Sequence, residues 1–434
     1  MKIAIIGAGS PYTPEIIKEL ATRGGALKGA RGGAWQGALP VDEIALHDID
    51  ARRLEVMSAF TRRYALALNM PHLRFTNHTD WEQALPGSDF VITQFRVGGN
   101  RARALDERIC LRHGFIGQET TGAAGMMKAL RTIPVALSLA GAMQELCPRA
   151  VLINYANPSG MITEAVSKRS PIRVVGLCAG GIRPAQEAAA ATGCAEHAVR
   201  YDYFGLNHLS FAYNFTVNGE PLPECALRKV LESRHGEATA EWISACGLFP
   251  SSYAQYYFRT SHKLEEMRAA PETRGERVLA LEKAIFDAYA DPSRDQPPPE
   301  LGQRGGGGYS QVAVGAMQAM RNDEDTWMVC NTPNCGAVPF LPNDAVIEAG
   351  CLVNAAGVRA LPQPNVPKQV WGLVCAVKNY EQLAMEAALT GDRSAALAAL
   401  AAHPLVMDVD RAVPLLSELL EASRGYLPLF FPLT

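Results

Sequence analysis

The first 180 residues alternate short apolar runs with longer segments in which apolar positions recur every three or four residues. The recurring pattern predicts helices, for example at 13–23 and 49–69. The short runs predict buried strands at 2–8, 43–49, 89–95, 150–156 and 173–179. Because strands and helices alternate, this region predicts a parallel, doubly wound sheet with right-handed crossovers. A glycine- and alanine-rich stretch at 24–40 predicts a flexible insertion before the second strand.

The pattern changes after residue 180. Strands are predicted at 203–219 and 345–361, a proline-rich interruption lies at 295–308, and helices are predicted at 224–246, 272–291, 367–390 and 393–402. The predicted fold class is therefore α/β, with an N-terminal Rossmann-like domain at 1–180 and a C-terminal mixed α+β domain at 181–434.

Composition and charge exclude several classes of partner. The 41 basic and 44 acidic residues leave a formal charge of -3 without a block of like charge, which argues against nucleic acid or an acidic membrane surface. No apolar run approaches the roughly 18 residues of a membrane span, and the N-terminus does not resemble a signal peptide. The ten cysteines form no C-x-x-C pair, so we expect reduced thiols in a cytoplasmic protein.

The opening stretch IAIIGAGSPYTPE predicts a strand, a glycine turn and a helix, the usual start of a dinucleotide site. Gly7 and Gly9 match the first two glycines of G-x-G-x-x-G, Ser10 lies in the same turn, and Tyr12 replaces the third glycine. Asp48, at the end of the second strand, is placed to accept hydrogen bonds from a ribose and favours NAD over NADP. The alternative is that Asp48 and its neighbour Asp50 merely cap the next helix.

Several longer motifs resemble the family 4 glycoside hydrolases, the NAD- and divalent-metal-dependent glycosidases. They include FRVGGNRARALDERICLRHGFIGQETTGAAG, NYANPSGMITEAV, VVGLC, YFGLNHLSFA, LGQRGGGGYS and NYEQLAMEAALTGD, and they extend over nearly the whole chain. The opening GAGSPYTPE belongs to the same pattern, so Tyr12 is ordinary in that family. Among its branches the 6-phospho-β-glucosidases are the most similar.

The resemblance implies a lactate/malate dehydrogenase-like overall fold and an unusual mechanism. This family is an exception to the scheme in which two carboxylates of the enzyme cleave the glycosidic bond. NAD⁺ oxidises the sugar at C3, a tyrosinate removes the acidified C2 proton, and a metal ion stabilises the enediolate. The aglycone is eliminated, water adds, and the ketone is reduced again. The segment 181–434 would then bind substrate, contribute to the metal site and mediate assembly into a homodimer or homotetramer.

The resemblance also implies roles for individual residues. Cys178 and His208 would be the metal ligands, and so sparse a set suits Mn²⁺ better than a closed zinc site. Tyr253 would be the base, with Tyr256 and Tyr257 as alternatives, because a nearby cation favours the phenolate. Without the family pattern, a cysteine or histidine at such positions is more often a core residue.

Further positions are implied to contact the substrate. Asn157 would hold a sugar hydroxyl, and the candidates for binding the 6-phosphate are Arg96, Asn100 and Arg304, since a guanidinium binds phosphate with two charge-assisted hydrogen bonds. Glu119 would shape the cofactor or sugar pocket, although a structural hydrogen bond is an equal alternative.

The pattern breaks after the metal cysteine. The 6-phospho-β-glucosidases tend to carry asparagine there, the α-phosphoglucosidases aspartate and the unphosphorylated branches histidine, whereas this chain has Ala179. Alanine can neither donate a proton nor bind a hydroxyl, so an atypical or unphosphorylated sugar is an alternative substrate. Two other classes stay open: a 2-hydroxy-acid dehydrogenase, and a non-catalytic relative that binds NAD and sugar.

Overall fold

The computed structural model describes residues 1–24, 39–305 and 307–432. The insertion predicted at 24–40 therefore lies almost entirely outside the described residues. Strands are β1 (Lys2–Ile6), β2 (Glu43–His47), β3 (Arg74–His78), β4 (Phe90–Thr93), β5 (Val151–Asn154), β6 (Arg173–Gly176), β7 (Val199–Leu206), β8 (Leu209–Val217), β9 (Glu220–Pro221), β10 (Phe249–Pro250), β11 (Thr326–Pro333), β12 (Val346–Asn354) and β13 (Gly357–Ala360).

Helices account for most of the remaining described chain. They are α1 (Thr13–Arg23), α2 (Ala51–Ala67), α3 (Trp81–Ala84), α4 (Gly99–Arg112), α5 (Gly122–Leu146), α6 (Ser159–Arg169), α7 (Arg183–Thr192), α8 (Glu224–His235), α9 (Glu237–Ala245), α10 (Gln255–Phe258), α11 (Thr260–Ala269), α12 (Arg274–Ala290), α13 (Glu300–Gln303), α14 (Tyr309–Asn322), α15 (Trp371–Thr390), α16 (Arg393–Ala402) and α17 (Val409–Ala422). Over the residues that the structure describes, no helix combines the length and the apolar character needed to cross a bilayer.

A nine-stranded sheet forms the centre of the molecule, in the order β13-β12-β11-β6-β5-β4-β1-β2-β3. The six strands from β3 to β6 pair in parallel, in the order 3-2-1-4-5-6 of a dinucleotide-binding fold. This confirms the predicted doubly wound sheet. β3 was not predicted, because its sequence RFTNH contains a single apolar residue, Phe75, which is also its one buried position.

The second part of the chain extends the same sheet. β11 pairs antiparallel with β6, and β12 and β13 follow as an antiparallel meander. A smaller antiparallel sheet, β10-β8-β7 with β9 paired to β8, packs against β12 of the large sheet through β7. The mixed character predicted after residue 180 is confirmed, whereas the division at 180 stays a prediction.

Two hydrophobic cores cover the two faces of the large sheet. Along β1, Ile3 and Ile5 contribute to the core that contains residues of α1, α2 and α14, whereas Ala4 and Ile6 contribute to the core of α5, α6 and α15. Such two-sided burial makes the strands read as unbroken apolar runs. The carboxyl ends of the parallel strands all open at one edge, where ligands bind in open α/β sheets.

Two predicted helices differ at their ends. The segment 224–246 divides into α8 and α9 at Gly236, whose φ of 76° leaves the helical region. The helix predicted from residue 367 begins at Trp371, after Pro367 and a short 3₁₀ turn. The helix predicted at 272–291 begins at a capping box formed by Thr273 and Glu276.

Candidate active site

The glycine turn after β1 has the geometry that a dinucleotide needs. Gly7 has φ 89°, and a Cβ atom there would lie 2.7 Å from the Cα atom of Phe95. A Cβ atom on Gly9 would lie 2.6 Å from Oδ2 of Asp48. Both positions therefore require glycine, and the backbone is bare where a pyrophosphate would approach.

Helix α1 begins directly behind this turn. Tyr12 is the N-cap residue of α1. Its side chain accepts no capping hydrogen bond from the described residues. Ser10, half-buried in the turn, accepts a bond from the Tyr12 N–H at 3.4 Å. The Thr13 and Glu15 N–H groups bond to the carbonyl oxygens of Ser10 and Tyr12, and Pro14 has no N–H. The start of α1 therefore offers an anion the positive end of the helix dipole.

Asp48 is tied to the glycine turn and does not cap a helix. Its Oδ2 accepts the Gly9 N–H at 2.8 Å, and its Oδ1 accepts the Asp50 N–H at 3.0 Å. The cap of α2 is Asp50, which accepts the Arg53 N–H. The helix-capping alternative thus holds for Asp50, while Asp48 joins the turn to the end of β2.

Cys178, His208 and Tyr253 line one open pocket of about 700 Å³ at the carboxyl edge of the sheet. Cys178 follows β6, His208 lies in the two-residue turn between β7 and β8, and Tyr253 lies in a short 3₁₀ turn after β10. The pocket is thus built from both parts of the chain. Three residues that lie far apart in sequence meet in one place.

His208 is held in an unusual backbone conformation, with φ 68°. Its side chain is buried, Nδ1 lies 2.6 Å from Oγ1 of Thr120, and Nε2 has no hydrogen-bond partner among the described residues. Burial, with the nearby Lys128, lowers the pKa of His208 to about 3, so the imidazole is neutral. A buried, neutral and unpartnered nitrogen is what a metal ligand requires.

Cys178 is a buried free thiol at the same pocket. Burial and the carboxylate of Glu348 raise its pKa to about 12, opposed by hydrogen bonds from Gly180, Tyr309 and Asn207. Those donors are the groups that stabilise a thiolate once a cation is present. Among the described residues, no group of three or more His, Cys, Asp or Glu side chains is placed to hold a metal ion. The protein therefore offers a sparse set of metal ligands at this pocket.

Of the three tyrosines, Tyr253 is the one whose side chain lines the pocket. Its ring stacks on His208 with centroids 3.8 Å apart. The Tyr257 hydroxyl instead lies 2.6 Å from Thr121 Oγ1, and its ring packs towards His403. Burial raises the pKa of Tyr253, so its phenolate needs a nearby positive charge.

Glu348, in the middle of β12, is a pocket residue that the sequence reasoning missed. Its oxygens accept bonds from Tyr203 at 3.0 Å, Ser210 at 3.1 Å and Asn207 at 2.8 Å. Burial nevertheless raises its pKa above the ordinary value. The signal was available, because a lone acid inside the apolar run VIEAGCLV is costly unless it is well hydrogen-bonded.

Arg96 lies in a buried cluster of charges beside the pocket. It forms an ion pair with Glu119, whose oxygens also accept from Arg103 and Lys128, each at 2.9 Å. Although burial opposes it, these cations hold the pKa of Glu119 well below its usual value. Burial and Arg96 lower the pKa of Lys128 to about 7. Arg96 and Glu119 are thus joined directly.

Asn100 and Arg304 lie near the glycine turn. Asn100 donates to Glu282 at 2.6 Å, and the Arg304 guanidinium lies 4.8 Å from the centroid of the Tyr12 ring. Burial raises the pKa of Glu282, but Arg53 and Arg304 bring it below its usual value. Within the described chain, Nε of Arg304 is buried without a hydrogen-bond partner.

Asn157 and Ala179 complete the predicted set. Asn157 follows β5, and its buried Oδ1 has no partner within the ranges that the structure describes. It neighbours Tyr309, which lines the pocket. Burial raises the pKa of Tyr309 well above its usual value, and the hydrogen bond with Asn157 opposes that shift. Ala179 lines the pocket next to Cys178, so the departure from the family pattern lies at the site itself.

Comparison with known proteins identifies the family. The model described as "Family 4 glycosyl hydrolase" matches residues 2–192, and the model of the "Family 4 glycosyl hydrolase C-terminal domain" matches residues 203–406. A probable 6-phospho-beta-glucosidase of Bacillus subtilis is 37% identical, over 99% of this chain and 98% of that protein.

Solved structures give the same result. A 6-phospho-beta glucosidase of Thermotoga maritima, solved with manganese, NAD⁺ and glucose-6-phosphate, superposes with a TM-score of 0.88 at 32% identity, covering 98% of this chain and 99% of that one. A malate dehydrogenase of Cryptosporidium parvum, 15% identical over 92% of this chain and 98% of its own, has a TM-score of 0.52, which confirms the dehydrogenase-like fold alone. The chain belongs to the family 4 glycosyl hydrolases.

Proposed function

We propose that this protein hydrolyses 6-phospho-β-glucosides with NAD and a divalent metal ion, Mn²⁺ or one of similar chemistry. The observation that carries the proposal is the convergence of Cys178, His208 and Tyr253 on one pocket, with the Nε2 atom of His208 buried and unpaired in the described structure. The named activity of the Bacillus and Thermotoga relatives supports the choice of substrate.

The residues fit both groups. A soft thiolate and an imidazole at the edge of the pocket form an open set that leaves positions for sugar hydroxyls and water. The glycine turn, the positive end of the α1 dipole and the carboxylate of Asp48 suit a dinucleotide. When bound, NAD⁺ supplies a hydride acceptor and the metal ion a Lewis acid.

Tyr253 acts as the base that removes the C2 proton. As a phenolate beside a cation, it would be stabilised against the burial that raises its pKa. Its ring is fixed against His208, so a ligand on that imidazole and the phenolate oxygen are held in one neighbourhood. Such fixed geometry is what general-base catalysis requires.

Binding and orientation of the sugar fall to Asn157 after β5, Arg304 after α13 and Arg96 after β4. The Oδ1 atom of Asn157, unpaired in the described structure, accepts a hydrogen bond from a sugar hydroxyl. Arg304, with its buried and unpartnered Nε in the described region, is the stronger candidate for the 6-phosphate. Arg96 contributes through its cluster with Arg103, Lys128 and Glu119, in which three cations surround one carboxylate.

Ala179 favours a second candidate, a glycosidase of the same mechanism with a different sugar. The residue lines the pocket next to Cys178, where a polar side chain would contact the substrate or its leaving group. A methyl group there provides neither an acid nor a hydrogen bond. Activity on an unphosphorylated or α-linked glycoside would follow from such a change.

Hydrolysis assays separate these candidates. p-Nitrophenyl 6-phospho-β-glucoside, its unphosphorylated form and its α-linked form are compared with NAD⁺ and Mn²⁺ under reducing conditions, with and without EDTA. We expect cleavage of the phosphorylated β-glycoside alone, lost on chelation and without net NADH. Cleavage of another glycoside instead would retain the mechanism and replace the substrate. Net NADH production from 2-hydroxy acids would support the dehydrogenase alternative.

Assembly and location remain predictions from the sequence. A homodimer or homotetramer is expected, and light scattering after size-exclusion chromatography measures it. The expected cytoplasmic location is tested by fractionation of cells that express the protein.

A further inference from the structure

The segment 117–120, in the motif GQETTG, packs tightly behind the pocket. A Cβ atom on Gly117 would lie 2.7 Å from the carbonyl oxygen of Glu107, and one on Gly125 would lie 2.5 Å from the carbonyl carbon of Thr120. Neighbouring backbone therefore fixes both ends of the segment. Gln118 and Thr120 are themselves buried, at 8% and 7% exposure.

Two short contacts within this segment and a third to His208 form one series. The Oε1 atom of Gln118 accepts the Thr120 backbone N–H at 2.7 Å and lies 2.7 Å from Oγ1 of Thr120. That Oγ1 lies 2.6 Å from Nδ1 of His208. The three side chains form a single chain of hydrogen bonds within the protein interior.

The direction of each bond follows from the chemistry of the groups. A backbone N–H can only donate, which identifies the Gln118 atom as the amide oxygen, and an amide oxygen can only accept. The Thr120 hydroxyl therefore donates its single proton to Gln118. It has none left for His208, so Nδ1 of His208 must carry the proton and donate it to Thr120.

We propose that Gln118 and Thr120 are positioning residues that fix the tautomer of His208, with the proton on Nδ1 and the lone pair on Nε2. This inference rests on the proposed function, in which His208 binds the metal ion through Nε2. Nε2 is the ring nitrogen that is buried without a partner in the described structure. The hydrogen bond made by one ring nitrogen decides whether the other nitrogen can bind a metal.

The relay would also hold the ring in place. His208 is a turn residue with φ 68°. The Thr120 bond fixes rotation of the imidazole on one side, and Tyr253 covers its face. Thr120 and Gln118 touch neither substrate nor metal ion in this scheme, so their effect is exerted through His208.

Removing the relay should weaken metal binding. Thr120→Val keeps the shape but removes the hydroxyl, and we expect the Kd for Mn²⁺, measured by electron paramagnetic resonance with NAD⁺ present, to rise about 10- to 100-fold. Thr120→Ser retains the hydroxyl and should stay within about threefold of the parent chain. The matched control is Thr132→Val, because the buried Thr132 hydroxyl has no partner in the described structure.

A second pair of variants guards against misfolding of Thr120→Val. Gln118→Leu removes the acceptor, so the Thr120 hydroxyl can donate to Nδ1 instead and the proton of His208 is no longer fixed on Nδ1. Gln118→Glu keeps an acceptor. We expect weak Mn²⁺ binding in the first and near-normal binding in the second. The apo protein gives an independent readout, since ¹⁵N shifts of labelled histidine distinguish the two tautomers of His208.

The outcomes separate this inference from the function on which it rests. Saturable Mn²⁺ binding by the parent chain that is unchanged in both Thr120→Val and Gln118→Leu would overturn the relay and leave the metal site intact. Mn²⁺ binding that is absent from the parent chain, or unaffected by His208→Ala, would overturn the proposed metal site itself. An Nε2-protonated signal for His208 in the apo parent chain would also overturn the relay.

Discussion

The imidazole of His208 lies face to face with the phenol of Tyr253, with centroids 3.8 Å apart and planes inclined by 13°. One of these residues follows β7 and the other follows β10, so their contact depends on the smaller sheet. A cation held at Nε2 of His208 would lie beside the phenol ring. The stacking thus couples the metal site to the residue whose ionisation it must favour.

Replacement of Tyr253 by phenylalanine should therefore remove the base and leave the metal site. We expect kcat on p-nitrophenyl 6-phospho-β-glucoside to fall about 100- to 10,000-fold, the usual contribution of a general base. Exchange of the C2 hydrogen with solvent deuterium should be lost in parallel. Mn²⁺ and NAD⁺ affinities should change little, because the ring that covers His208 remains.

Tyr256→Phe is the matched control for that variant. The Tyr256 ring lies 6.4 Å from the Tyr253 ring, with Lys263 5.9 Å from its centroid. We expect activity within about threefold of the parent chain. A large loss in Tyr256→Phe with little change in Tyr253→Phe would show that the base was assigned to the wrong tyrosine.

Cys178→Ser should weaken Mn²⁺ binding at least about 100-fold, since the loss of even an outer-shell partner costs about 10- to 100-fold. Activity should disappear with EDTA and return with added Mn²⁺. NAD⁺ binding should persist in the variant, because its contacts lie at the ends of β1 and β2. Cys246→Ser, a half-buried free thiol on another element, controls for general loss of a cysteine; equal Mn²⁺ affinity in both variants would reject Cys178 as a ligand.

Asp48→Asn should raise the Kd for NAD⁺ about tenfold, the size expected for a hydrogen bond to a charged group. The discrimination against NADP⁺ should also shrink, because the carboxylate no longer repels a 2′-phosphate. Asp50→Asn tests the capping role instead, since Asp50 accepts the Arg53 N–H at 3.0 Å. It should lower Tm slightly and leave the NAD⁺ Kd unchanged, as fluorescence titration measures; a larger effect in Asp50→Asn would reverse the two roles.

Local pattern predicted five of the six parallel strands, but it missed β3 and β11. The buried strands were visible because both faces of the sheet are covered, so their apolar runs are unbroken. β3 was missed because it lies at the edge of the sheet and has a single apolar residue, Phe75. The pairing of β11 with β6, Asn331 opposite Gly176, joins positions 155 residues apart, and no local pattern encodes such a contact.

The candidate site shows the same division between local and distant information. Cys178, Asn157 and Asp48 each follow a predicted strand, so their common edge could be predicted. The choice among the tyrosines depended on how a short turn after β10 faces His208, which no spacing reveals. Glu348 was missed because its partners come from other elements. Gln118 was missed because its role depends on the contact of Thr120 with His208, 88 positions away.

Arg304→Gln should reduce the preference for phosphorylated substrate. A guanidinium gives two charge-assisted bonds to phosphate, so we expect the ratio of kcat/KM for phosphorylated over unphosphorylated glycoside to fall about 10- to 100-fold. Arg96→Gln should reduce it less, because Arg103 and Lys128 remain beside Glu119. Arg321→Gln, exposed at the far end of α14, is the control and should leave the ratio unchanged. A ratio equally insensitive to all three changes would place the phosphate elsewhere.

Glu164, buried on α6, should make stability depend on acid pH. It pairs with Lys378 at 2.9 Å and Lys168 at 2.8 Å, and accepts the Val346 N–H. Burial opposes ionisation, but these partners lower its pKa from 4.5 to about 2. A lowered pKa stabilises the folded chain above pH 4.5, and this contribution is lost as the pH falls towards 2.

Glu164→Gln should therefore cost about 3–5 kcal/mol at pH 7, as expected when a buried pair is broken. The Tm difference from the parent chain should shrink between pH 4.5 and 2, because protonated Glu164 then resembles glutamine. Asp344→Asn is the surface control: its pair with Lys168 leaves Asp344 70% exposed, so it should cost less than about 1 kcal/mol. A Tm difference for Glu164→Gln that stays constant throughout this acid range would show that the loss comes from packing, because the other carboxylates titrate in both chains and only Glu164 distinguishes them.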